Sequence, residues 1–310
     1  MPDWTTFTAF AAVTALLVLL LARASQSMLV ETTAPDRPKD PQRIEQSGDE
    51  GALTNDGNEL IDDGSELIDD GSELTDRGSE QPEAAGATTA PADPSRASTE
   101  PELSTTALLA NVAVSQGAFL LLIGLAAWLF AIPAWAFGVS EATVGVEFVA
   151  LGVVAGVVLY VGNETAAAIG KRHGFTGSEE LRRRLAPDTV TGWMALLFVV
   201  LPLIAVFEEV LFRGALIGVA AAGFNVSPWV LAVASSIVFG FGHGAQGRLG
   251  IVVTGVLGFL LAALFIVTGS LLLVIVAHYV INALEFLVHE ALGWEPFGEE
   301  PATSAGSKPS

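Results

Sequence analysis

The sequence has no cysteine, few basic residues and long stretches that are almost without charge. Its 310 residues include 14 Lys/Arg against 34 Asp/Glu, which gives a formal net charge of −20. The absence of cysteine excludes disulfide bonds and gives no information on the redox compartment. Residues 25–102 alone carry twenty Asp/Glu and five Lys/Arg, so most of the net charge lies in one segment. The rest of the chain is largely apolar.

Several apolar runs are long enough to cross a membrane, since a helix needs roughly 20 apolar residues to span the hydrocarbon core. These runs predict an all-α fold, a polytopic transmembrane helical bundle of about seven to eight spans, in the cell membrane. The helical bundle is then surrounded by membrane lipid, and the sequence does not indicate a nucleic-acid partner. Seven runs approach or reach the required length: residues 5–21, 106–132, 144–169, 191–206, 230–241, 249–267 and 270–288.

The chain divides into four predicted regions. Residues 1–24 form a retained transmembrane anchor; a cleaved signal peptide is the alternative, but Met1–Trp4 carries no basic residue and no clear small-residue cleavage site follows. Residues 25–105 contain no aromatic residue and many Asp, Glu, Ser, Thr, Gly and Pro, which predicts a disordered acidic linker. Residues 106–292 form the helical membrane core, and residues 293–310 form a disordered C-terminal tail.

The linker contains a seven-residue repeat, ELIDDGS at residues 59–65 and 66–72 and ELTDRGS at residues 73–79. A glycine in every unit and an adjacent rather than spaced apolar pair argue against a coiled coil. The paired aspartates could bind a cation or a partner, but the spacing of an EF-hand loop is missing. The repeat is therefore predicted to be solvated linker.

Basic residues give a partial orientation. Five of them lie in the loop at residues 171–188, and Arg23 follows the first run, so the positive-inside rule places this loop and the acidic linker in the cytoplasm. The segment Ala215–Phe224 is too short to span and could be re-entrant or half a helix. The orientation of the C-terminal half stays open.

The first cluster of polar residues in the apolar core is Glu208, Glu209 and Arg213. A charged group at bilayer depth costs about 2.5–3.5 kcal/mol on insertion scales. On a helix, Glu209 and Arg213 are i,i+4 neighbours that can form an ion pair, while Glu208 points about 100° away and is left unpaired. An interfacial charge cluster is the simpler explanation of the two glutamates.

Two further clusters follow along the chain. His243 ends an apolar run in FGFGHG, whose glycines allow close approach of a helix or a substrate backbone. His278 and Asn282 are i,i+4 and share one helix face, which Glu285 could support. Each alone could be an ordinary interhelical hydrogen bond. Together the three clusters indicate one shared site.

These residue types suit hydrolysis. A desolvated carboxylate can take a proton from water, and a histidine can hold that water or protonate a leaving amine. An amide and a second imidazole can donate to an oxyanion. The same set could hold a divalent metal such as zinc, with Glu208, His243 and His278 as ligands. Spacing is compatible with both mechanisms, although no HExxH motif occurs.

The polar clusters resemble the CPBP family of intramembrane proteases, which includes the CAAX prenyl endopeptidases and the bacteriocin-processing and self-immunity proteins. The likeness covers residues 190–286, and the two preceding spans complete the same core. It implies an all-helical bundle with a site in a membrane cavity. Three motifs carry it in the family's order: Glu208-Glu209-x-x-x-Arg213, Phe239-x-x-x-His243 and His278-x-x-x-Asn282.

The resemblance implies a role for each matching residue. Glu208 is expected to activate water with the help of His243, and His278 and Asn282 to stabilise the tetrahedral intermediate. Glu209 and Arg213 are expected to be structural. The implied activity is a CPBP-type, CAAX protease-like membrane endopeptidase, either a metalloprotease or a metal-independent glutamate protease, acting on a membrane-associated or lipidated protein or peptide.

Two other functions remain open at this point. The chain could be a non-catalytic scaffold or immunity-type member of the family, although a scaffold has no need for an unpaired buried Glu208. It could also be a proton- or ion-coupled transporter. The lack of a second copy of the Glu-Glu or His motifs argues against the transporter.

Overall fold

The computed structural model of the protein describes residues 1–33, 104–173 and 180–294, and the regular structure within these ranges is helical. The seven-residue repeats and the predicted tail beyond residue 294 lie outside the described residues, as does nearly all of the predicted linker. The helices are α1 (Trp4–Thr33), α2 (Thr105–Leu129), α3 (Val146–Arg172), the short α4 (Glu180–Leu185), α5 (Val190–Phe224), α6 (Pro228–Gly242), α7 (Gly247–Thr268) and α8 (Leu271–Ala291).

Each apolar run of the sequence corresponds to one of these helices. By length and composition, six of them (α1, α2, α3, α5, α7 and α8) can cross a membrane, and α6 is apolar but has only 15 residues. Large apolar side chains on their outer faces, such as Leu121, Trp128 and Val158, are exposed and can face lipid. The prediction of an all-helical, multi-pass membrane protein is therefore confirmed.

α5 is one continuous helix, and Ala215–Phe224 forms its last part rather than a separate re-entrant segment. Two stretches of α5, Leu196–Val200 and Val210–Val219, are π-helical and therefore wound more loosely than an α-helix. Such stretches occur frequently at functional sites. The second begins directly after Glu209, so the change in winding lies beside the charged cluster.

Side-chain oxygens cap the N-termini of several helices. At the start of α1, Asp3 Oδ1 accepts from the Thr6 N–H at 3.0 Å, and hydrogen bonds from the side chain and backbone of Thr6 lower the pKa of Asp3. Thr189 caps α5 and Ser270 caps α8 in the same way. The Ser270 hydroxyl also donates to the Thr143 carbonyl at 2.6 Å, which ties the start of α8 to the segment before α3.

α1 packs on the core as an integral helix. Phe7, Ala11 and Ala15 recur every four residues on one face of α1, and their exposed fractions are 0%, 0% and 4%. The Phe7 ring contacts the Phe137 ring edge-on, with centroids 5.6 Å apart. The predicted anchor is thus part of the helical bundle, and its helix continues past residue 24 to Thr33.

α3 and α8 form the most extensive helix pair in the described part of the chain. Gly152 and Gly156 of α3 lie one turn apart and face α8. A Cβ added at Gly156 would come within 2.7 Å of the Ala277 carbonyl oxygen, and one at Gly152 within 2.7 Å of that of Leu273. Small residues at this spacing allow two membrane helices to approach closely. This contact sets the position of α8, which carries His278.

Gly156→Ala should therefore destabilise the protein, because the new methyl group would push α3 away from α8. Overpacking of this kind typically costs about 1–3 kcal/mol. The measurement is the thermal denaturation midpoint of the full chain in detergent. Gly162→Ala on the same helix is the matched control, because nothing lies within 4 Å of its added Cβ. Equal midpoints for the two variants would contradict the packing described.

Candidate active site

An ion pair in the interior of the bundle is the centre of the site. Arg213 and Glu209 of α5 are 1% and 0% exposed, and Arg213 Nη1 donates to Glu209 Oε1 at 2.7 Å. Arg213 Nη2 donates to the Gly258 carbonyl of α7 at 2.8 Å, and its guanidinium carbon lies 4.7 Å from the centre of the Phe239 ring in α6. The i,i+4 pair expected from the sequence is present, and it also joins α5 to α6 and α7.

His278 of α8 is hydrogen-bonded to the same carboxylate. Its Nδ1 lies 2.7 Å from Glu209 Oε1, so one oxygen serves both Arg213 and His278. Because an ionised carboxylate can only accept, Nδ1 is the donor in this bond. In neutral His278 the other nitrogen, Nε2, is then the acceptor, and it is directed away from Glu209.

Glu208 lies on the other side of His278. Its Oε2 is 3.7 Å from His278 Nε2, and the Glu208 side chain is 15% exposed. This oxygen is buried and has no hydrogen-bond partner within the described residues. A separation of 3.7 Å is too long for a direct hydrogen bond. Glu208 and His278 therefore present two polar atoms toward a common point.

His243 approaches from α6. Its Nδ1 donates to the Phe239 carbonyl at 2.9 Å, which leaves Nε2 as the acceptor of the neutral ring. The Phe239 ring lies 4.6 Å from the His243 ring and 6.1 Å from the His278 ring, centroid to centroid. Gly240 allows α6 to pack closely against α7, since a Cβ there would lie 2.7 Å from the Ile251 carbonyl oxygen of α7. α5, α6 and α8 thus bring Arg213, His243 and His278 together around Phe239.

Asn282 lies one turn beyond His278 on α8 and is partly buried. Glu285, which was expected to support the same face, belongs to a different group. Its Oε1 accepts from Asn163 Nδ2 of α3 at 2.8 Å, and its Oε2 lies 3.2 Å from Arg182 of α4. The reason is helical geometry, because Glu285 lies two turns, about 10 Å, beyond His278 along α8, where α3 and α4 reach it.

The predicted metal ligands fit an ion only in part. Glu208 Oε2 is unpartnered and lies near His278 Nε2, whose other nitrogen is held by a carboxylate, as is usual for histidine ligands. However, the ligand atoms of Glu208, His243 and His278 do not all lie within 4.8 Å of one another. Metal dependence therefore remains a prediction.

Part of the chain matches a protein-family model. Residues 190–284 match the family model described as "Type II CAAX prenyl endopeptidase Rce1-like". The matched segment runs from α5 into α8 and contains all three motifs, so the resemblance to the CPBP family is confirmed. At the level of this family, the match supports a CAAX-type intramembrane protease. No curated protein and no solved structure matches the chain.

Sequence analysis did not single out Glu164 or His289, which lie close to Glu285 in the structure. Glu164 did carry a signal, because it is a charged residue inside the apolar run at residues 144–169. His289 lies one residue past the end of the last apolar run, where a polar residue is expected in any membrane helix. Only the fold shows that these side chains meet.

Arg213→Met should strongly destabilise the protein, because it leaves the Glu209 carboxylate buried without its counter-charge. Removing one partner of a buried ion pair typically costs about 3–5 kcal/mol. The denaturation midpoint in detergent measures this, with Arg248→Met, an exposed position on α7, as the control.

The double variant Glu209→Gln/Arg213→Met should recover part of the lost stability, since neither charge then remains buried. A single Arg213→Met variant as stable as wild type would show that the pair does not hold the helices together.

Proposed function

We propose that the protein is an intramembrane endopeptidase of the cell membrane that hydrolyses a peptide bond in a membrane-associated or lipidated protein. The observation that carries the proposal is the buried Glu208 Oε2, which has no hydrogen-bond partner among the described residues and lies 3.7 Å from His278 Nε2, within the segment that matches the protease family. An unpaired buried carboxylate destabilises a fold, so its presence in the core favours a functional role.

In the proposed reaction, Glu208 acts as general base. A water bound at Glu208 Oε2 gives one proton to the Glu208 carboxylate as its oxygen forms a bond to the substrate carbonyl carbon. His243 Nε2, the acceptor of its ring, assists by accepting a hydrogen bond from the same water. Glu208 then delivers the proton to the leaving nitrogen as the carbon–nitrogen bond breaks. Such proton transfer contributes about 10²–10⁴-fold to rate.

The negative charge that develops on the substrate carbonyl oxygen must be stabilised by hydrogen-bond donors. The Asn282 side-chain N–H groups are suited to this role from α8, one turn from His278. His278 can add a second donor only while its Nε2 carries a proton, because its Nδ1 proton is engaged by Glu209. Donors held by a rigid helix in a water-poor site stabilise an oxyanion strongly, because they need no reorientation.

A divalent ion such as zinc, if the working enzyme binds one, would have Glu208 and His278 as its nearest ligands. When bound it would supply acidity to a coordinated water. With an ion bound, His278 Nε2 would be a ligand and could not donate to the oxyanion, and that task would remain with Asn282. A chelator therefore decides between the two forms of the enzyme without changing the assignment of Glu208.

Glu208→Gln should lower the rate of peptide cleavage by about 10²–10⁴-fold, because an amide cannot accept the proton from water. The assay uses quenched fluorescent peptides, prenylated and unprenylated, with the full chain in detergent, and repeats each reaction with phenanthroline. Glu141→Gln, at an exposed position before α3, is the control and should cleave at the wild-type rate. Equal cleavage by Glu208→Gln and wild type would refute the assignment.

Asn282→Asp should lower kcat by about 10²–10³-fold with little change in KM, because a carboxylate cannot donate to the oxyanion and repels it. Steady-state kinetics on the best peptide provide the test. Asn225→Asp, at the exposed turn between α5 and α6, controls for the added charge. A rise in KM at unchanged kcat would assign Asn282 to substrate binding instead.

A further inference from the structure

A second polar cluster lies at the ends of α3 and α8, beside α4. Glu164 of α3 and Glu285 and His289 of α8 each offer one ligand atom, and these atoms all lie within 4.8 Å of one another. Glu285 and His289 are i,i+4 on α8, so they project from the same face, toward Glu164. Two helices thus place two carboxylates and one imidazole at a single point.

The His289 imidazole is directed into this cluster. Its side chain is 8% exposed, and its Nε2 lies 3.2 Å from Glu164 Oε2 and 3.8 Å from Glu285 Oε2. Neither ring nitrogen makes a hydrogen bond within the described residues. A buried imidazole without hydrogen bonds is unfavourable, because both nitrogens lose their hydration. A ligand at this point would satisfy Nε2.

Neighbouring residues hold the cluster in place. Asn163 Nδ2 donates to Glu285 Oε1 at 2.8 Å, and Arg182 Nη1 donates to Glu285 Oε2 at 3.2 Å. Arg182 Nε also donates to Glu290 Oε1 at 2.7 Å. These contacts orient the Glu285 carboxylate in the way that outer residues orient ligands around a metal.

Charge also favours a cation here. Glu164 and Glu285 are mostly buried, with side-chain exposed fractions of 12% and 20%, and their mutual repulsion is unfavourable at this depth. Arg182 forms ion pairs with both Glu285 and Glu290, so its charge is shared between these two carboxylates. A divalent ion placed among the three ligand atoms would offset the repulsion of the two carboxylates and complete the coordination of the imidazole.

We propose that Glu164, Glu285 and His289 form a binding site for a divalent transition-metal ion, separate from the site at Glu208. Two carboxylate oxygens and one imidazole nitrogen form a ligand set that binds zinc and similar first-row divalent ions. The ion joins α3 to α8 beyond Asn282 and so helps to hold the helix that carries His278. Its role is structural and does not depend on the proposed protease activity.

The test uses the full-length protein in detergent, stripped with EDTA and titrated calorimetrically with Zn²⁺. Wild type and Glu208→Gln should each bind one Zn²⁺ at this site, and Glu164→Gln and His289→Ala should bind it at least tenfold more weakly. Zn²⁺ should also raise the denaturation midpoint of wild type and of Glu208→Gln, but not that of Glu164→Gln. All variants share the acidic segment at residues 25–102, so weak binding there cancels in the comparison.

Three results would overturn the proposal. One is wild-type Zn²⁺ affinity in both Glu164→Gln and His289→Ala. Another is loss of binding in Glu208→Gln alone, which would place the ion at the catalytic site. The third is a wild-type protein that binds no Zn²⁺ beyond what Glu164→Gln binds, which would leave the cluster as an ion-pair network with Arg182. Glu164→Gln is nearly isosteric, so a folding defect in His289→Ala does not remove the test.

Discussion

The arrangement of the bundle depends on one buried oxygen atom, Glu209 Oε1. It accepts hydrogen bonds from Arg213 on its own helix and from His278 on α8, both at 2.7 Å. A carboxylate with no solvent exposure requires a counter-charge, and Arg213 supplies it while also binding the Gly258 carbonyl of α7. Three helices are therefore held in one relative position by a single charge and its partners.

This constraint separates two neighbouring residues of the same type. Within the described residues, the Oε2 atoms of both glutamates lack a hydrogen-bond partner. Glu209, however, is fully buried and its Oε1 is held by Arg213 and His278, whereas Glu208 is rotated about 100° along the helix and is 15% exposed. His278 connects the two, because Nδ1 contacts Glu209 and Nε2 faces Glu208. One glutamate thus fixes the orientation of the imidazole against which the other is proposed to work.

The parts of this structure that depend on local spacing were predictable from the sequence. Apolar runs gave the helices, and the i,i+4 rule gave the Glu209–Arg213 pair. The hydrogen bond from His278 to Glu209 joins residues 69 positions apart, so no local pattern indicates it. The same limit applies to the packing of Phe7 on the core and to Glu285, whose direction depends on how α3 and α4 meet α8.

The division of tasks between Glu208 and Glu209 can be tested by the denaturation midpoints of two single variants, Glu208→Gln and Glu209→Gln, measured side by side in detergent. Glu208→Gln should be as stable as wild type or more so, because it removes an unpaired buried charge. Glu209→Gln should lose roughly 3–5 kcal/mol, because it leaves Arg213 buried without its counter-ion. The opposite order, or equal losses, would contradict the division of tasks between the two glutamates.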